Sequence, residues 1–329
     1  MINKKDRYLG CLVGLAVGDA LGAPIEWKKK FRPVAGMRIN KRQIGSRFGE
    51  TKKAGHHTDD TSMALCLAES LIKKKGFDAK DQLERYCMWM EKGHMSSNGK
   101  CEGMGKTTRN ALTVFQAFGH TTTKVHDPLV AGNGSIMRLA PIPMFYNNEF
   151  LEQVGIKSMQ SSMTTHVHEE CVTACRILGR MISMALHGAT KEEIFELSDW
   201  EKAGMCTTEV GSVMIGKTYE QEPPYIKGSG HVVKSLEAAL WAFNKSTSFK
   251  HGVLLAVNLG EDADTTAAIY GQLAGAYYGY SAIPKIWKDT LIKRNLIEKY
   301  ALGLYKLANG KTTKTKKGTK TKKATKSIS

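Results

Sequence analysis

Apolar residues recur with the period of an α-helix through most of this 329-residue chain. In residues 61–72 they stand at 63, 64, 67, 68, 71 and 72, which is one face of a helix. The same pattern covers residues 81–92, 105–118, 171–185, 233–243 and 264–279. Alternation with period two, which would indicate a half-buried strand, is hard to find. The chain is therefore predicted to be all-α, with a single compact many-helix domain over residues 1–310.

The N-terminal apolar stretch carries glycines at a spacing of four residues. Gly14, Gly18 and Gly22 then share one face of a predicted buried helix, where a neighbouring helix can approach closely. Asp19 and the glycines interrupt the apolar stretch, and a charged segment follows it, so we do not interpret it as a signal peptide. No apolar run is long enough to predict a membrane span.

Composition indicates an ordinary globular protein with a basic extension. The chain is 42% hydrophobic and 24% charged. Its net charge is +17, and residues 311–329 contribute eight lysines and no acid, which leaves 17 − 8 = +9 for the rest. This Lys/Thr-rich tail is predicted to be disordered. We interpret it as a solubilising or localising tail, with weak contact to nucleic acid or an anionic surface as the alternative.

The cysteines favour an intracellular, cytoplasmic protein. There are seven of them, scattered along the chain, and no two form a CxxC pair. An odd number of scattered cysteines in a long chain predicts reduced thiols.

Two clusters of carboxylates and hydroxyls each come just before a helical segment. Short oxygen side chains commonly cap helices, and a helix N-terminus favours negative charge, so capping is one interpretation. Together, however, the clusters offer four carboxylates, which would repel one another unless cations lay between them. They are enough for one or two Mg²⁺ ions, with Mn²⁺ possible. We predict a two-metal cleft whose ligands are Thr58, Asp59, Asp60, Asp262, Asp264 and Thr265.

Two further segments contain candidate site residues. In GDALGAPIE, residues 18–26, Asp19 and Glu26 flank a turn that either simply closes the helix at Gly22 or brings Glu26 to the metals. In GNGS, residues 132–135, the glycines allow backbone N–H groups to bind phosphate, although a GxG pair alone is usually a plain turn.

These segments, in this order, resemble the ADP-ribosylglycohydrolase family, and within it the dinitrogenase-reductase-activating glycohydrolase branch. The resemblance spans nearly all of the chain except the tail. It is carried by GCLVGLAVGDALGAPIE (10–26), HHTDDTSMAL (56–65), GNGSIMRLAP (132–141), THVHEECVTAC (165–175), SGHVVKSLEAALWAF (229–243) and NLGEDADTTAAIYGQLAGAYYG (258–279). It implies an all-α fold around two metal ions. It also implies hydrolysis of the bond between C1″ of ADP-ribose and a modified side chain, with arginine favoured, on a protein or small-molecule substrate.

The resemblance also implies roles for individual residues. The two acidic clusters match the family's metal ligands. Asp60, Glu26 and Asp264 are the candidate catalytic carboxylates, and whether Asp60 or Glu26 is the base stays open. The predicted substrate-binding residues are Gly132, Asn133, Gly134 and Ser135, which match a loop around the distal ribose and diphosphate, together with His166 beside the ligand.

One segment departs from the branch pattern. In SSNGKCEGMGKTT, residues 96–108, Gly103 stands where the branch has an aspartate. Its neighbour Glu102 is the candidate to bind substrate in place of that aspartate, and the change leaves the metal ligands themselves unaltered. Two alternatives follow: an ADP-ribose-binding module with weakened catalysis and, less favoured, a two-metal phosphoesterase.

Overall fold

The computed structural model describes residues 2–29, 31–37, 42–44, 51–122, 131–198, 202 and 208–310. The longer helices are α1 (Lys4–Gly22), α2 (Asp59–Lys74), α3 (Ala79–Lys92), α4 (Lys106–Phe118), α6 (Leu151–Met163), α7 (Glu169–His187), α10 (Val232–Lys245), α12 (Ala263–Tyr278) and α14 (Arg294–Asn309). The shorter ones are α5 (Pro141–Phe145), α8 (Lys191–Phe195), α9 (Glu209–Ile215), α11 (Phe249–Val257) and α13 (Lys285–Thr290), with 3₁₀ turns at Thr218–Glu220 and Tyr280–Ala282. One antiparallel pair joins β1 (Arg42–Ile44) to β2 (Thr51–Lys53).

Helices α1 and α12 form the central pair of the fold, and they meet backbone to backbone. A Cβ built at Gly14 would stand 2.3 Å from the carbonyl oxygen of Gly271. One at Gly18 would stand 2.1 Å from that of Ala267, and one at Gly22 would stand 2.3 Å from the amide nitrogen of Asp264. No side chain fits at these positions without moving the backbone opposite. The four-residue glycine spacing therefore predicted a real helix contact.

The other helices surround this pair and bury it. Helices α7, α10 and α11 pack against α12, α14 packs against both α1 and α2, and α6 packs along α7. Apolar side chains fill the space between the layers, and the large aromatic ones among them, Tyr8, Tyr86, Trp89, Phe243, Phe249 and Tyr270, are fully buried. The acidic ends of α2 and α12 are thereby held at fixed positions on a rigid core.

The all-α prediction is confirmed, and each periodic segment named above lies within a helix or overlaps one. The helical period did not reveal two elements: α9, which is too short to show one, and the β1–β2 pair. The predicted tail, 311–329, lies outside the described residues. No helix in the described part of the chain is long and apolar enough to cross a bilayer.

Candidate active site

The fold brings the two acidic clusters together. Carboxylate oxygens of Asp19, Asp60 and Asp264 lie within 4.8 Å of one another, and so do those of Glu26, Asp262 and Asp264. Asp264 belongs to both groups, so the five carboxylates form one continuous cluster. The cluster lies where α1 ends and where α2 and α12 begin.

The acids at the start of α2 do not cap it. Thr58 is the N-cap residue, but its side chain makes no capping bond. The donors at the start of α2 instead meet Asp19 of α1, which accepts hydrogen bonds from the Thr58 and Thr61 amides at 2.9 and 3.1 Å. Both threonine hydroxyls also donate to it, at 3.0 and 2.6 Å. The start of α2 is thus capped from a different helix, which leaves Asp60 available for another role.

At the start of α12, too, the acidic N-cap residue does not cap the helix with its side chain. Asp262 is its N-cap residue and makes no side-chain capping bond. Its Oδ2 accepts a hydrogen bond of 2.7 Å from Asn133 Nδ2. The simple capping interpretation therefore explains neither cluster.

The donor set fits a hard divalent cation. Every candidate ligand is an oxygen atom, which is the donor type that Mg²⁺ and Mn²⁺ prefer. Asp60 is fully buried, and its Oδ1 has no hydrogen-bond partner among the described residues. Burial and the neighbouring carboxylates raise the pKa values of Asp59, Asp60 and Asp264 well above the ordinary value. A cation between these groups would remove that cost.

Asp19 differs from its neighbours because it has four donors. Burial raises the pKa of Asp19 to about 6, while the hydrogen bonds from Thr61 and Thr58 oppose the increase. These bonds fix one face of Asp19 toward α2. Asp19 thus holds the first turn of α2 and contributes an oxygen to the carboxylate cluster.

Three members of the cluster line one wall of a cavity of about 450 Å³. Glu26, Asp59, Asp262, Asp264 and Thr265 line this wall. The rest of the lining includes residues 103–108, at the start of α4, and residues 132–134 with His166. The cavity therefore has an acidic end and a side formed by backbone, hydroxyl groups and a histidine.

Buried Arg138 braces the glycine-rich side of the cavity. Its guanidinium donates to the Gly134 carbonyl oxygen at 2.6 Å and to Thr165 Oγ1 at 2.7 Å. Thr165 Oγ1 in turn lies 2.8 Å from His166 Nδ1. Burial, and then the charge of Arg138, lower the pKa of His166 to about 3. The imidazole is therefore neutral at physiological pH, and its ring lies against the loop, with a Cβ at Gly134 falling 2.9 Å from its Cε1.

Not all of the site residues predicted from sequence line the cavity. Asp60 and Thr58 lie behind the cavity wall, where the one proton of the Thr58 hydroxyl is shared between Asp19 Oδ1 at 3.0 Å and Asp60 Oδ2 at 2.8 Å. Asp59 lines the cavity but stands outside both carboxylate groups. Ser135 is buried behind the loop and accepts a hydrogen bond from Ser162 at 2.8 Å. Glu102 is half-buried and is not among the residues that line the cavity.

Gly103 lies directly against the predicted metal ligand Asp59. Its φ is +82°, a backbone conformation that side chains disfavour. A Cβ there would stand 2.1 Å from Asp59 Oδ1. The departure from the branch pattern therefore touches the acidic wall itself, and this backbone has no room for an aspartate at position 103.

Sequence reasoning did not assign two residues to the site. Asp19 was noted only as a break in the apolar helix and as a residue beside a turn. A charged residue inside an otherwise apolar helix indicated that it would be buried and partnered. The second residue is Trp27, whose side chain lines the acidic end of the cavity and is 46% exposed.

The acidic groups at one end of the cavity could hold a metal ion, and comparison with known proteins identifies the family. The ADP-ribosylglycohydrolase family model matches residues 1–314. The chain is 38% identical over 303 residues to an ADP-ribosylarginine hydrolase Tri1 from Serratia proteamaculans (strain 568), covering 92% of this chain and 80% of that protein. It is 31% identical to the ADP-ribosyl-[dinitrogen reductase] glycohydrolase of Rhodospirillum rubrum, covering 87% and 90%.

A solved structure shares the fold as well. It is that of an ADP-ribosylglycohydrolase-related protein complex, and it superposes with a TM-score of 0.80 at 38% identity, over 94% of this chain and 100% of that one. The chain therefore belongs to the ADP-ribosylglycohydrolase family. The resemblance and the all-α fold predicted from sequence are both confirmed.

Proposed function

We propose that this protein is a divalent-metal-dependent hydrolase that removes ADP-ribose from a modified arginine side chain by cleaving the C1″ glycosidic bond. The observation that carries the proposal is the convergence of five carboxylates at one end of a cavity whose other side offers neutral donors. Relatives named for activity on ADP-ribosylarginine support the choice of linkage. Two Mg²⁺ ions are proposed, held by Asp19, Asp60, Asp262, Asp264 and Glu26, with Thr58, Asp59 and Thr265 beside them.

The glycine-rich side of the cavity suits the diphosphate and the distal ribose. Helix α4 begins at this wall, its N-cap is Gly105, and no side chain caps it. Its free N–H groups and the charge of Lys106 favour an anion. The loop at Gly132 and Gly134 faces them, with neutral His166 supplying a further polar contact.

The acidic end suits the scissile bond. Bound divalent ions would supply electrostatic stabilisation of the ribose oxygens and of a nucleophilic water. Glu26 lines the cavity, whereas Asp60 lies behind its wall, so we assign the base role to Glu26 and a metal-holding role to Asp60.

The proton balance of the reaction is simple. Water oxygen bonds to C1″ while the C1″–N bond breaks and its electron pair stays on the guanidine nitrogen. Glu26 accepts one water proton, and the departing neutral guanidine then takes up a proton to become an arginine guanidinium. The products are free ADP-ribose and unmodified arginine.

The test is release of ADP-ribose from a peptide that is ADP-ribosylated on arginine, with Mg²⁺ and then with EDTA. A serine-linked peptide and a phosphodiester substrate are run in parallel. We expect metal-dependent release from the arginine peptide. Binding of ADP-ribose without turnover by folded, metal-loaded protein would indicate the binding module instead, and cleavage of only the phosphodiester would indicate a phosphoesterase.

A further inference from the structure

Trp27 stands in an unusual conformation at the acidic end of the cavity. Its φ is +55°, which is a costly backbone conformation for a bulky residue. The backbone N–H of Trp27 donates a 2.7 Å hydrogen bond to the carbonyl oxygen of Glu261, whose own φ is +52°. A hydrogen bond thus joins two residues of strained backbone at the rim of the cavity. The Trp27 indole ring at this rim is 46% exposed.

The indole ring lies beside the carboxylate cluster. A Cβ built at Gly230 would stand 3.4 Å from Trp27 Cη2 and 3.6 Å from Asp262 Oδ2, so one small residue separates the ring from the acid. Glu26, the preceding residue, is itself part of the cluster. The exposed indole therefore lies beside the proposed metal site, at the acidic end of the cavity.

This combination selects for a planar cation. An electron-rich indole face attracts guanidinium groups and stacks on their planar surface. A neutral serine leaving group would gain nothing from the same surface. The adenine of ADP-ribose is separated from C1″ by two riboses and two phosphates, so the ring beside the scissile end is placed for the acceptor side chain.

We propose that Trp27 determines linkage specificity by stacking on the guanidinium of the modified arginine. The proposal rests on the function proposed above and deepens it. The strained backbone is then the means by which the ring is held over the acceptor.

The test compares two ligands in wild type, Trp27→Ala and Trp27→Phe. The ligands are a peptide ADP-ribosylated on arginine and free ADP-ribose, both with Mg²⁺. For Trp27→Ala we expect kcat/KM on the peptide to fall about tenfold, mainly through KM, with the Kd for ADP-ribose within about twofold of wild type. Trp27→Phe should recover most of the loss. Phe118→Ala, an exposed aromatic outside the cavity, is the matched control and should change neither quantity.

The outcomes separate this proposal from the proposed function. An equal loss for free ADP-ribose and for the peptide, in folded Trp27→Ala, would assign the ring to the nucleotide and overturn the proposal. An unchanged peptide kcat/KM would overturn it as well. Should the wild type bind the peptide without cleaving it, the proposed function fails, and the ratio of peptide Kd to ADP-ribose Kd in the three proteins still tests Trp27.

Discussion

Replacing Asp60 by asparagine should stabilise the metal-free protein. Asp60, Asp19 and Asp264 oxygens lie within 4.8 Å of one another, and two charges at that distance repel by about 3 kcal/mol at an effective dielectric constant of about 20. The repulsion can destabilise the folded protein by no more than about 4 kcal/mol, because that is the cost of protonating a carboxyl of ordinary pKa 3.8 at pH 7, and protonation removes the charge. The variant keeps an oxygen to accept the Thr58 bond. We expect a gain of about 3 kcal/mol in EDTA at pH 7.

The pH dependence of this gain has a definite sign. Burial and neighbouring carboxylates raise the pKa of Asp60 in the folded protein, so the folded state binds more protons than the unfolded state above pH 4. The penalty is present at neutral pH and disappears as the pH falls toward the ordinary value. The difference between Asp60→Asn and wild type should therefore shrink to near zero at pH 4.

Divalent metal should reverse the order of stability. At a Mg²⁺ concentration of about a thousandfold over Kd, wild type gains about 4 kcal/mol. The variant, which lacks one ligand, gains much less. The measurement is urea denaturation of both proteins in EDTA and in Mg²⁺.

A matched control is Asp81→Asn. Asp81 is also buried, but it accepts hydrogen bonds from Arg85 Nε and Nη2 at 2.7 and 3.1 Å. The same chemical change should there destabilise the protein by about 3 kcal/mol in either buffer. If Asp60→Asn were destabilising in EDTA at pH 7, Asp60 would be a structural residue and the argument for a cation at this position would be wrong.

Backbone geometry and burial give three further predictions. Gly14→Val should lower the free energy of unfolding, measured by urea denaturation, by about 3 kcal/mol, because the new valine side chain would meet the Gly271 carbonyl. The control is Gly155→Ala, where the added methyl group faces only the flexible Arg176 side chain. It should change the free energy of unfolding by less than about 1 kcal/mol. The His166 ring should show no titration by NMR between pH 8 and 5, because burial lowers its pKa to about 3. For the same reason the stabilising contribution of the neutral ring is fully present above pH 6.5 and is lost as the pH falls from there toward 3. A titration midpoint near 6.5 would contradict this. Gly103→Ala should reduce turnover at least about tenfold through contact with Asp59, whereas Gly99→Ala, with similar φ but open space, should lose comparable stability and keep its activity.

Local sequence signals predicted the helices and the acidic clusters well. A helical period needs only the residues of one helix, and each acidic cluster is contiguous in the chain. That the two clusters meet was a hypothesis based on their similar composition and their positions before helices, and a cation was inferred because four acids together would repel one another. By contrast, the capping of α2 by Asp19 depends on a contact between residues 39 positions apart, which no local pattern records.

Chain composition also could not show how the loops fold. Gly103 has a positive φ and packs beside Asp59, and the positive φ of Trp27 is accompanied by a hydrogen bond to Glu261. Both are tertiary effects. Glu102, a candidate from sequence, is not among the residues that line the cavity.

The stretch GLAVGDALG, residues 14–22, connects the packing of the fold to the geometry of the site. Its glycines let α12 approach until the backbone of Asp264 almost touches Gly22. The one acid within it, Asp19, projects to the start of α2 and holds Thr58 and Thr61. Helix α1 therefore fixes the positions of both acidic clusters relative to each other. Because a divalent ion requires its ligands within narrow distances, the glycine contact is a condition for the proposed metal site as well as for the stability of the core.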